Sequence, residues 1–526
     1  MARITRRGFV QGAALLAPAA AAAQQNAAAP GDRFDFVVAG AGHNSLVCSA
    51  YLAKAGYRVL VLEGRPTIGG GCKTAEVCLP GFHEDLCSSV HAGIQNNPLL
   101  RNHELPLRDY GLEYIEPDPV MHVPFQDGVS ITVWRDLERT CDSIAAFSKR
   151  DAAVFRRLVP EYRDSRAAGA RDGYWQRLNA MSGYDAACLL FESRYLRAAS
   201  LACGHFGGVP GGDFGTGGQA FSLIGQVLNG RPIAKGGSGM LSVALGRFLE
   251  ANHGVILTNK PVARLIVENG KCTGVECVDG AQYRAGKAVI STIHVKHLVD
   301  MAPRALWGEA FTRNLEAFLP EHAMFSFHYA TSAPPAYPLA GGGTISTVEA
   351  ALMEQPESVL RLNDYNARGE LHLEDTPLQI VSPSVGDATR APAGYHTVKI
   401  EGTLPYRLKE GPRHWDEVKE QVAETLLGRL RRVSPSLAPR AILAKFLESP
   451  LDIERMNPSM WRGSAHHGDR RVPQLVPYKL PIPGLYQTGA CTAPGGSITG
   501  LPGRNAARAI LADLGTNIEA VVRKQA

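Results

Sequence analysis

The chain has 526 residues, of which 45% are hydrophobic and 20% are charged, and its formal net charge is +5. This composition is typical of an ordinary globular protein that is long enough for two or more domains. The small positive charge is not gathered into a dense basic run, which argues against nucleic acid as a partner, and beyond residue 30 no apolar stretch reaches the roughly 18 residues of a membrane span.

The first 30 residues have the pattern of a targeting segment. Thr5–Val10 form a twin-arginine motif around Arg6 and Arg7, and Ala21–Ala23 supply the small residues of a cleavage site. We predict a twin-arginine signal peptide and linker over residues 1–30, export of the folded protein and a periplasmic location. A plain alanine-rich leader is the alternative.

A βαβ unit of the nucleotide-binding type opens the rest of the chain. A short apolar strand, Phe36–Ala39, runs into Gly40 and Gly42. A helical pattern follows, and a second apolar strand, Arg58–Leu62, leads to Glu63. Gly40 permits a tight turn, and Gly42 lets the backbone approach a pyrophosphate at the positive end of the helix dipole.

The position of Glu63 limits which dinucleotides can bind. It follows Gly40 by about 20 residues, the offset at which a carboxylate binds ribose hydroxyls and disfavours the 2′-phosphate of NADP. Ser45 takes the place of the third glycine of the motif, where a small residue suffices, and the cluster Gly69-Gly70-Gly71 follows the second strand. These residues predict an adenine dinucleotide and leave FAD and NAD open.

Later segments predict that the nucleotide-binding domain is discontinuous in sequence. A glycine turn and an amphipathic helix within Ala234–Gly254 precede several alternating strands, beginning near Val262. Near the C-terminus, a strand within Gly484–Ala490, a glycine-rich loop ending at Gly500 and a helix repeat the opening arrangement. We predict an α/β fold, with a Rossmann-like domain formed by residues 32–100, 235–300 and 480–520 and an inserted mixed α+β substrate domain formed by residues 101–234 and 301–479.

Cysteine spacing argues against several redox and metal centres. None of the ten cysteines forms a Cys-x-x-Cys pair, as a dithiol centre, a zinc ribbon or a ferredoxin-type site would require, and we expect no metal. Cys72, Cys78 and Cys87 are close enough in sequence for a disulfide in an oxidising compartment, with buried thiols as the alternative.

Four histidines are candidates for proton transfer, because imidazole titrates near neutral pH. They are His91, His205, His466 and His467. The adjacent pair His466 and His467 follows a glycine-bearing loop and is the first to test. For each of the four, a structural role remains the alternative.

Several longer stretches resemble a known family. They include GAGHNSLVCSAYLAKAGYRVLVLE from Gly40, KGGSGMLSVALGRFLEANHG from Lys235, SPLDIERM from Ser449 and LYQTGACTAPGGSITGLPGRNAARAIL from Leu485. The sequence is similar to the phytoene desaturase-like FAD-dependent oxidoreductases, and most of all to the group called pyridine nucleotide-disulfide oxidoreductase domain-containing protein 2. The similarity extends over nearly all of residues 32–514, whereas the twin-arginine leader is unusual for this family.

The resemblance implies FAD rather than NAD and assigns residues to parts of the cofactor. Gly40, Gly42, Ser45 and Glu63 would hold the ADP half, Gly69, Gly70 and Gly71 would lie over the pyrophosphate, and Val262 would hold the adenine through its backbone. The C-terminal loop, with Gly489, Gly495, Gly496, Ser497 and Gly500, would lie near the pyrophosphate, ribityl chain and isoalloxazine.

The resemblance also implies a dehydrogenase or desaturase that transfers hydride to flavin from a lipophilic substrate, carotenoid-like or isoprenoid-like. An exported enzyme would meet little NAD(P)H, so we expect a quinone or oxygen as electron acceptor. Peripheral contact with a membrane and the oligomeric state stay open. A flavin-dependent isomerase, an amine-oxidase-like enzyme and a flavin-stabilised interaction protein without turnover are the alternatives, because a fold does not fix its chemistry.

Overall fold

The computed structural model describes residues 33–167, 169, 173–205, 209–319, 322–464 and 476–523. The predicted signal peptide and the candidates His466 and His467 lie outside these residues. The strands are β1 (Phe34–Ala39), β2 (Val59–Leu62), β3 (Thr74–Ala75), β4 (Glu84–Asp85), β5 (Tyr114–Ile115), β6 (Met121–Pro124), β7 (Ser130–Val133), β8 (Ile233–Ala234), β9 (Val255–Leu257), β10 (Val262–Glu268), β11 (Lys271–Cys277), β12 (Gln282–Ser291), β13 (Ala323–Thr331), β14 (Tyr337–Pro338), β15 (Thr344–Ile345), β16 (Glu349–Leu352), β17 (Leu378–Val381), β18 (His396–Leu404), β19 (Ile442–Glu448) and β20 (Leu485–Gln487).

The helices connect these strands and cover the faces of their sheets. They are α1 (His43–Lys54), α2 (Ala92–Gln95), α3 (Pro98–Arg101), α4 (Leu137–Ala145), α5 (Lys149–Ala167), α6 (Gly173–Ala180), α7 (Gly183–Leu190), α8 (Arg194–His205), α9 (Ser222–Asn229), α10 (Gly239–Ala251), α11 (Val295–Leu298), α12 (Glu309–Glu316), α13 (Leu362–Arg368), α14 (Trp415–Val433), α15 (Pro450–Met456), α16 (Leu501–Asp513) and α17 (Ile518–Arg523). Within the described ranges, no helix is both long enough and apolar enough to cross a bilayer.

The first large sheet has the order β10-β11-β12-β1-β2-β9, and β20 pairs with β12. Strands β12, β1, β2, β9 and β20 are parallel, and β10 to β12 form an antiparallel extension. The sequence of β2 is the apolar run VLVL, buried throughout, as a parallel strand covered on both faces requires. The carboxyl ends of β1, β2, β12 and β20 therefore meet at one edge, where open α/β sheets bind ligands.

Helices α1 and α16 cross very closely against this sheet. A Cβ atom on Gly503 would lie 2.1 Å from the carbonyl oxygen of Asn44 and 2.8 Å from Cβ of Val47, so only glycine fits. The next residue, Arg504, forms a buried ion pair with Glu104, with Nη2 and Oε1 2.7 Å apart. Apolar residues within 36–61 and 498–521 are thus packed into one hydrophobic core.

The second large sheet has the order β19-β13-β18-β17-β16-β6-β7. Its neighbouring strands are antiparallel except for β6 and β16. Helix α14 packs against β13 and β18 in one core, and helices α4 to α9 pack beside β6 and β7 in another. All strands of this sheet come from residues 101–234 and 301–479, and all strands of the first sheet come from the remaining segments.

Two local features concern the boundary between α4 and α5 and the three cysteines considered for a disulfide. Helix α5 follows closely after α4, and at its start Ser148 Oγ accepts a hydrogen bond from the backbone N–H of Asp151 (3.0 Å). Cys72, Cys78 and Cys87 are free thiols. Burial raises the pKa of Cys72 to about 11 and that of Cys87 to about 12, so both thiols stay protonated at neutral pH.

Candidate active site

The turn from β1 into α1 begins the site. Gly40 has φ 98°, and a Cβ there would lie 2.5 Å from Cγ2 of Thr292. Gly42 is the N-cap of α1, and no side chain of the described residues caps that helix, so its first-turn N–H groups are open to a ligand. The hydroxyl of Ser45 donates to the carbonyl oxygens of Gly40 (2.7 Å) and Gly42 (2.8 Å) and braces the turn from behind.

Glu63 follows the carboxyl end of β2 and reaches the same turn. Its Oε2 accepts from the backbone N–H of Ala41 at 2.8 Å, and its Oε1 accepts from that of Arg65 at 2.9 Å. The residue is buried, and it borders the cavity described below. This arrangement fixes a carboxylate beside the glycine turn, where a ribose would lie.

The second glycine cluster packs directly on the first. The backbone N–H of Gly69 donates to the carbonyl of Ala41 at 2.8 Å, and Gly69 forms an isolated parallel bridge with Gly42. A Cβ on Gly70 would lie 3.2 Å from Cα of Gly42. The two clusters form a cradle of bare backbone that any larger residue at Gly70 would crowd.

The loop after β20 closes the other side of the cradle. Gly489 has φ 89°, and a Cβ there would lie 2.4 Å from Oγ1 of Thr292. Gly495, Ser497 and Gly500 also have positive φ, and Gly500 is the N-cap of α16. Sequence reasoning missed Thr292, which lies between Gly40 and Gly489. It follows the carboxyl end of β12, the signal that could have revealed it.

These elements enclose a cavity of about 810 Å³ that extends from the glycine cradle to the second sheet. Nine predicted cofactor residues line it: Gly40, Gly42, Glu63, Gly70, Gly71, Val262, Gly489, Gly496 and Ser497. The other four, Ser45, Gly69, Gly495 and Gly500, lie in the supporting turns behind the lining. Sequence reasoning also missed Arg65 and Lys73, two cations that line the cavity next to Glu63.

The end of the cavity at the second sheet carries polar side chains that sequence reasoning missed, and we call them the polar wall: Arg231, Gln379, Glu401 and Thr403. Arg231 makes two hydrogen bonds to the carboxylate of Glu349, and Gln379 donates to the same carboxylate. Glu401 pairs with Lys399, with Oε2 and Nζ 2.7 Å apart.

The described candidate histidines are neutral and hydrogen-bonded. His91 is fully buried and outside the cavity lining, with Nε2 2.8 Å from Ser238 Oγ and Nδ1 2.9 Å from Tyr114 Oη. Burial lowers the pKa of His91 to about 3. His205 Nε2 lies 2.6 Å from Thr403 Oγ1, and burial lowers its pKa to about 3 as well. The structure gives both histidines structural hydrogen bonds.

The cradle fits FAD in shape and chemistry. Bare glycine backbone and open helix N–H groups suit a pyrophosphate, and Glu63 suits a ribose. His43 also lines the cavity, and burial lowers its pKa to about 4, so it is uncharged at neutral pH. Among the described residues, no group of three or more His, Cys, Asp and Glu side chains is placed to hold a metal.

Comparisons with known proteins agree with this geometry. Residues 38–103 match the profile of the NAD(P)-binding Rossmann-like domain. A limonene dehydrogenase subunit from Castellaniella defragrans is 28% identical over 92% of this chain and 95% of its own. Pyridine nucleotide-disulfide oxidoreductase domain-containing protein 2 of Mus musculus is 26% identical over 91% and 94%, and the neurosporene-forming phytoene desaturase of Cereibacter sphaeroides is 24% identical over 89% and 92%.

Over most of its length, the chain is similar to the phytoene desaturase-like FAD-dependent oxidoreductases. The predicted resemblance to this family, the enzyme class, the FAD cofactor and the Rossmann-like fold are thereby confirmed. Solved structures show the same fold. An oxidoreductase from Methanosarcina mazei has a TM-score of 0.61 at 18% identity, covering 91% of this chain and 100% of its own. A putrescine oxidase variant has a TM-score of 0.58 at 13% identity, covering 91% and 99%.

Replacing Glu63 with Gln tests whether this carboxylate contributes to FAD binding. We expect the dissociation constant of FAD to rise about tenfold, because a hydrogen bond to a charged acceptor contributes about 1.5–3 kcal/mol and the amide lacks that charge. Calorimetric titration of the apoprotein with FAD measures the change. Glu113→Gln is the control, since that carboxylate is exposed and pairs with Lys235. An unchanged dissociation constant for E63Q would contradict the assignment.

Proposed function

We propose that the protein oxidises a lipophilic substrate by transferring hydride from a C–H bond to FAD, while the adjacent carbon loses a proton that is released to solvent. The observation that carries this proposal is the continuous cavity that runs from the cofactor cradle to the second sheet. Its lining also includes Met324, Met456, Met460 and Ile498. These apolar side chains would hold a lipophilic substrate and exclude water from the reacting bond.

When bound, FAD supplies the acceptor for a two-electron oxidation. The chain itself supplies position and environment. Gly42 and Gly70 would admit the pyrophosphate, Glu63 would fix the ribose, and the methionines would orient the substrate. The neutral, buried state of His43 keeps an additional positive charge out of the cavity.

The names of the relatives support a terpene-like substrate class. They include the limonene dehydrogenase subunit, the phytoene desaturase of Cereibacter sphaeroides and an all-trans-zeta-carotene desaturase of Myxococcus xanthus that is 24% identical over 88% of this chain. We therefore propose an isoprenoid-like or carotenoid-like substrate for this chain.

A flavin-dependent isomerase is the second candidate. A prolycopene isomerase of an Oncidium hybrid is 24% identical over 93% of this chain and 86% of its own, which favours this alternative over the others. The likeness to putrescine oxidase is a likeness of fold alone and supports no amine substrate.

Anaerobic mixing of the purified, flavin-loaded protein with isoprenoid hydrocarbons tests both candidates. Loss of the oxidised flavin absorbance, together with a product lacking two hydrogens, supports the dehydrogenase. Conversion to a product of unchanged mass without lasting flavin reduction supports the isomerase. A protein that binds no FAD would overturn both.

We also propose that the protein is exported and passes its electrons to a quinone or to oxygen. This rests on Arg6 and Arg7, which lie outside the described residues. Fractionation of cells that produce the full chain tests the location, and a cytoplasmic protein would remove the argument for these acceptors.

A further inference from the structure

The polar wall is unexpected in a cavity that would hold a hydrocarbon. A pure hydrocarbon substrate needs no hydrogen-bonding partner, yet Arg231, Gln379 and Glu401 all border the cavity. Gln379 and Glu401 are 5% and 7% exposed, and the Arg231 side chain is 19% exposed. These side chains are too enclosed for bulk water to fill all of their hydrogen-bonding positions. Their polar atoms without a protein partner therefore indicate which chemical groups a ligand in the cavity would carry.

The polar wall offers one open donor and two open acceptors. Arg231 uses Nε and Nη2 for Glu349, and across the described ranges no hydrogen bond or ion pair occupies its Nη1. Gln379 donates through Nε2, and its Oε1 accepts no bond from any described residue. Glu401 uses Oε2 for Lys399, and its Oε1 likewise has no hydrogen-bond partner in the described part of the chain.

The charges around these atoms are already paired. Arg231 is paired with Glu349 and Lys399 with Glu401, so the two pairs nearest the cavity carry no net charge. A carboxylate on the ligand would meet the negative charge of Glu401, and an ammonium group would meet the positive charge of Arg231. The arrangement therefore disfavours both charged groups.

An uncharged hydroxyl satisfies both kinds of open atom, because it donates one hydrogen bond and accepts others. A hydrocarbon in the same place would leave the guanidinium donor and the carboxylate acceptor desolvated and without partners. We propose that the polar wall binds a hydroxyl group on an otherwise lipophilic substrate, with the hydroxyl accepting from Arg231 and donating to Glu401. The proposal rests on the proposed function for the lipophilic skeleton and adds the polar group that orients it.

Binding to the flavin-loaded protein at neutral pH tests this proposal without turnover. The probes are geraniol, the hydrocarbon in which the hydroxyl of geraniol is replaced by hydrogen, geranic acid and geranylamine. We expect geraniol to have a dissociation constant at least about tenfold lower than that of each of the others, measured by equilibrium dialysis. Equal binding of geraniol and its hydrocarbon, tighter binding of the acid or the amine, or no binding of geraniol overturns the proposal.

A double variant that keeps the net charge unchanged tests whether the Arg231–Glu349 pair causes the preference for geraniol. Arg231→Met with Glu349→Gln removes both members of the buried pair, and we expect the preference for geraniol over the hydrocarbon to disappear. The matched control is Arg264→Met with Glu276→Gln, which removes a two-bonded arginine–glutamate pair on the exposed β10–β11 hairpin. A preference that survives in the R231M/E349Q variant overturns the assignment.

The failure of the hydroxyl-site proposal can be distinguished from the failure of the oxidation proposal. If the R231M/E349Q variant does not fold, the dissociation constants of the four probes for the unmodified protein test the proposal by themselves. If no isoprenoid bleaches the flavin but geraniol still binds preferentially, the oxidation proposal fails and the hydroxyl site stands.

Discussion

Gly503→Ala is expected to lower the free energy of unfolding by about 3 kcal/mol. The added methyl group would lie 2.1 Å from the carbonyl oxygen of Asn44, so α1 and α16 must move apart. Overpacking a well-filled core costs about 1–3 kcal/mol, and backbone atoms cannot rotate away from the clash as a flexible side chain can. Urea denaturation of the purified protein measures the loss.

The same substitution is expected to weaken FAD binding, since Asn44 belongs to the first turn of α1 and lines the cofactor cavity. Gly428→Ala is the matched control. Gly428 lies within α14, and among the described residues no atom outside its own stretch of helix lies within 4 Å of an added Cβ. Alanine there is expected to stabilise the helix by up to about 1 kcal/mol. Equal stability of G503A and the unmodified protein would show that the two helices can separate at little cost.

His328→Leu is expected to lower the free energy of unfolding by about 3–5 kcal/mol, the range found when one partner of a buried ion pair is removed. His328 lies on β13 with Nδ1 3.6 Å from Glu84 and Nε2 3.4 Å from Glu448. Burial favours the uncharged imidazole, but the two nearby carboxylates of Glu448 and Glu84 outweigh it and raise the pKa of His328 above 6.5. Leucine would leave two buried carboxylates facing each other.

The destabilisation by H328L should depend on pH. Because the pKa of His328 is higher in the folded protein than its ordinary value of 6.5, its charged form stabilises the fold in full below that pH. This contribution is lost as the pH rises through the folded-state pKa. The difference in unfolding free energy between the unmodified protein and H328L should therefore be largest at mildly acidic pH and shrink toward alkaline pH.

His414→Leu provides the control for this experiment. His414 also lies between two glutamates, Glu410 and Glu417, but their side chains are 59% and 75% exposed. Exposed ion pairs contribute about 0–1 kcal/mol, so H414L should change stability little at any pH. A loss in H328L that stays constant between acidic and alkaline pH would contradict the charged state assigned to His328.

The cofactor half of the site could be predicted from the sequence because its parts are local. Gly40, Gly42 and Glu63 lie in one continuous βαβ unit, and their spacing alone fixes their geometry. The C-terminal loop repeats the same strand, glycine and helix pattern, and the family resemblance implied that Gly489 lies near the cofactor. The parallel sheet brings these segments together at the carboxyl ends of its strands.

The polar wall could not be predicted because it has no local pattern. Arg231 precedes β8, Glu349 begins β16, and Glu401 lies on β18, so only the pairing of β16, β17 and β18 brings them together. His91 is a candidate for proton transfer, with a structural role as the alternative, and the structure shows structural hydrogen bonds for it, to Ser238 and Tyr114.

The place of β20 in the first sheet bears on how the protein matures. Among the described residues this strand is the last, it pairs with β12, and the loop that follows it forms one side of the cofactor cradle. A chain still growing on the ribosome lacks that side, and the edge of β12 has no partner there. Cofactor loading must therefore follow the synthesis of residues 485–500, so that retention of the flavin distinguishes chains that contain this segment from chains that end before it.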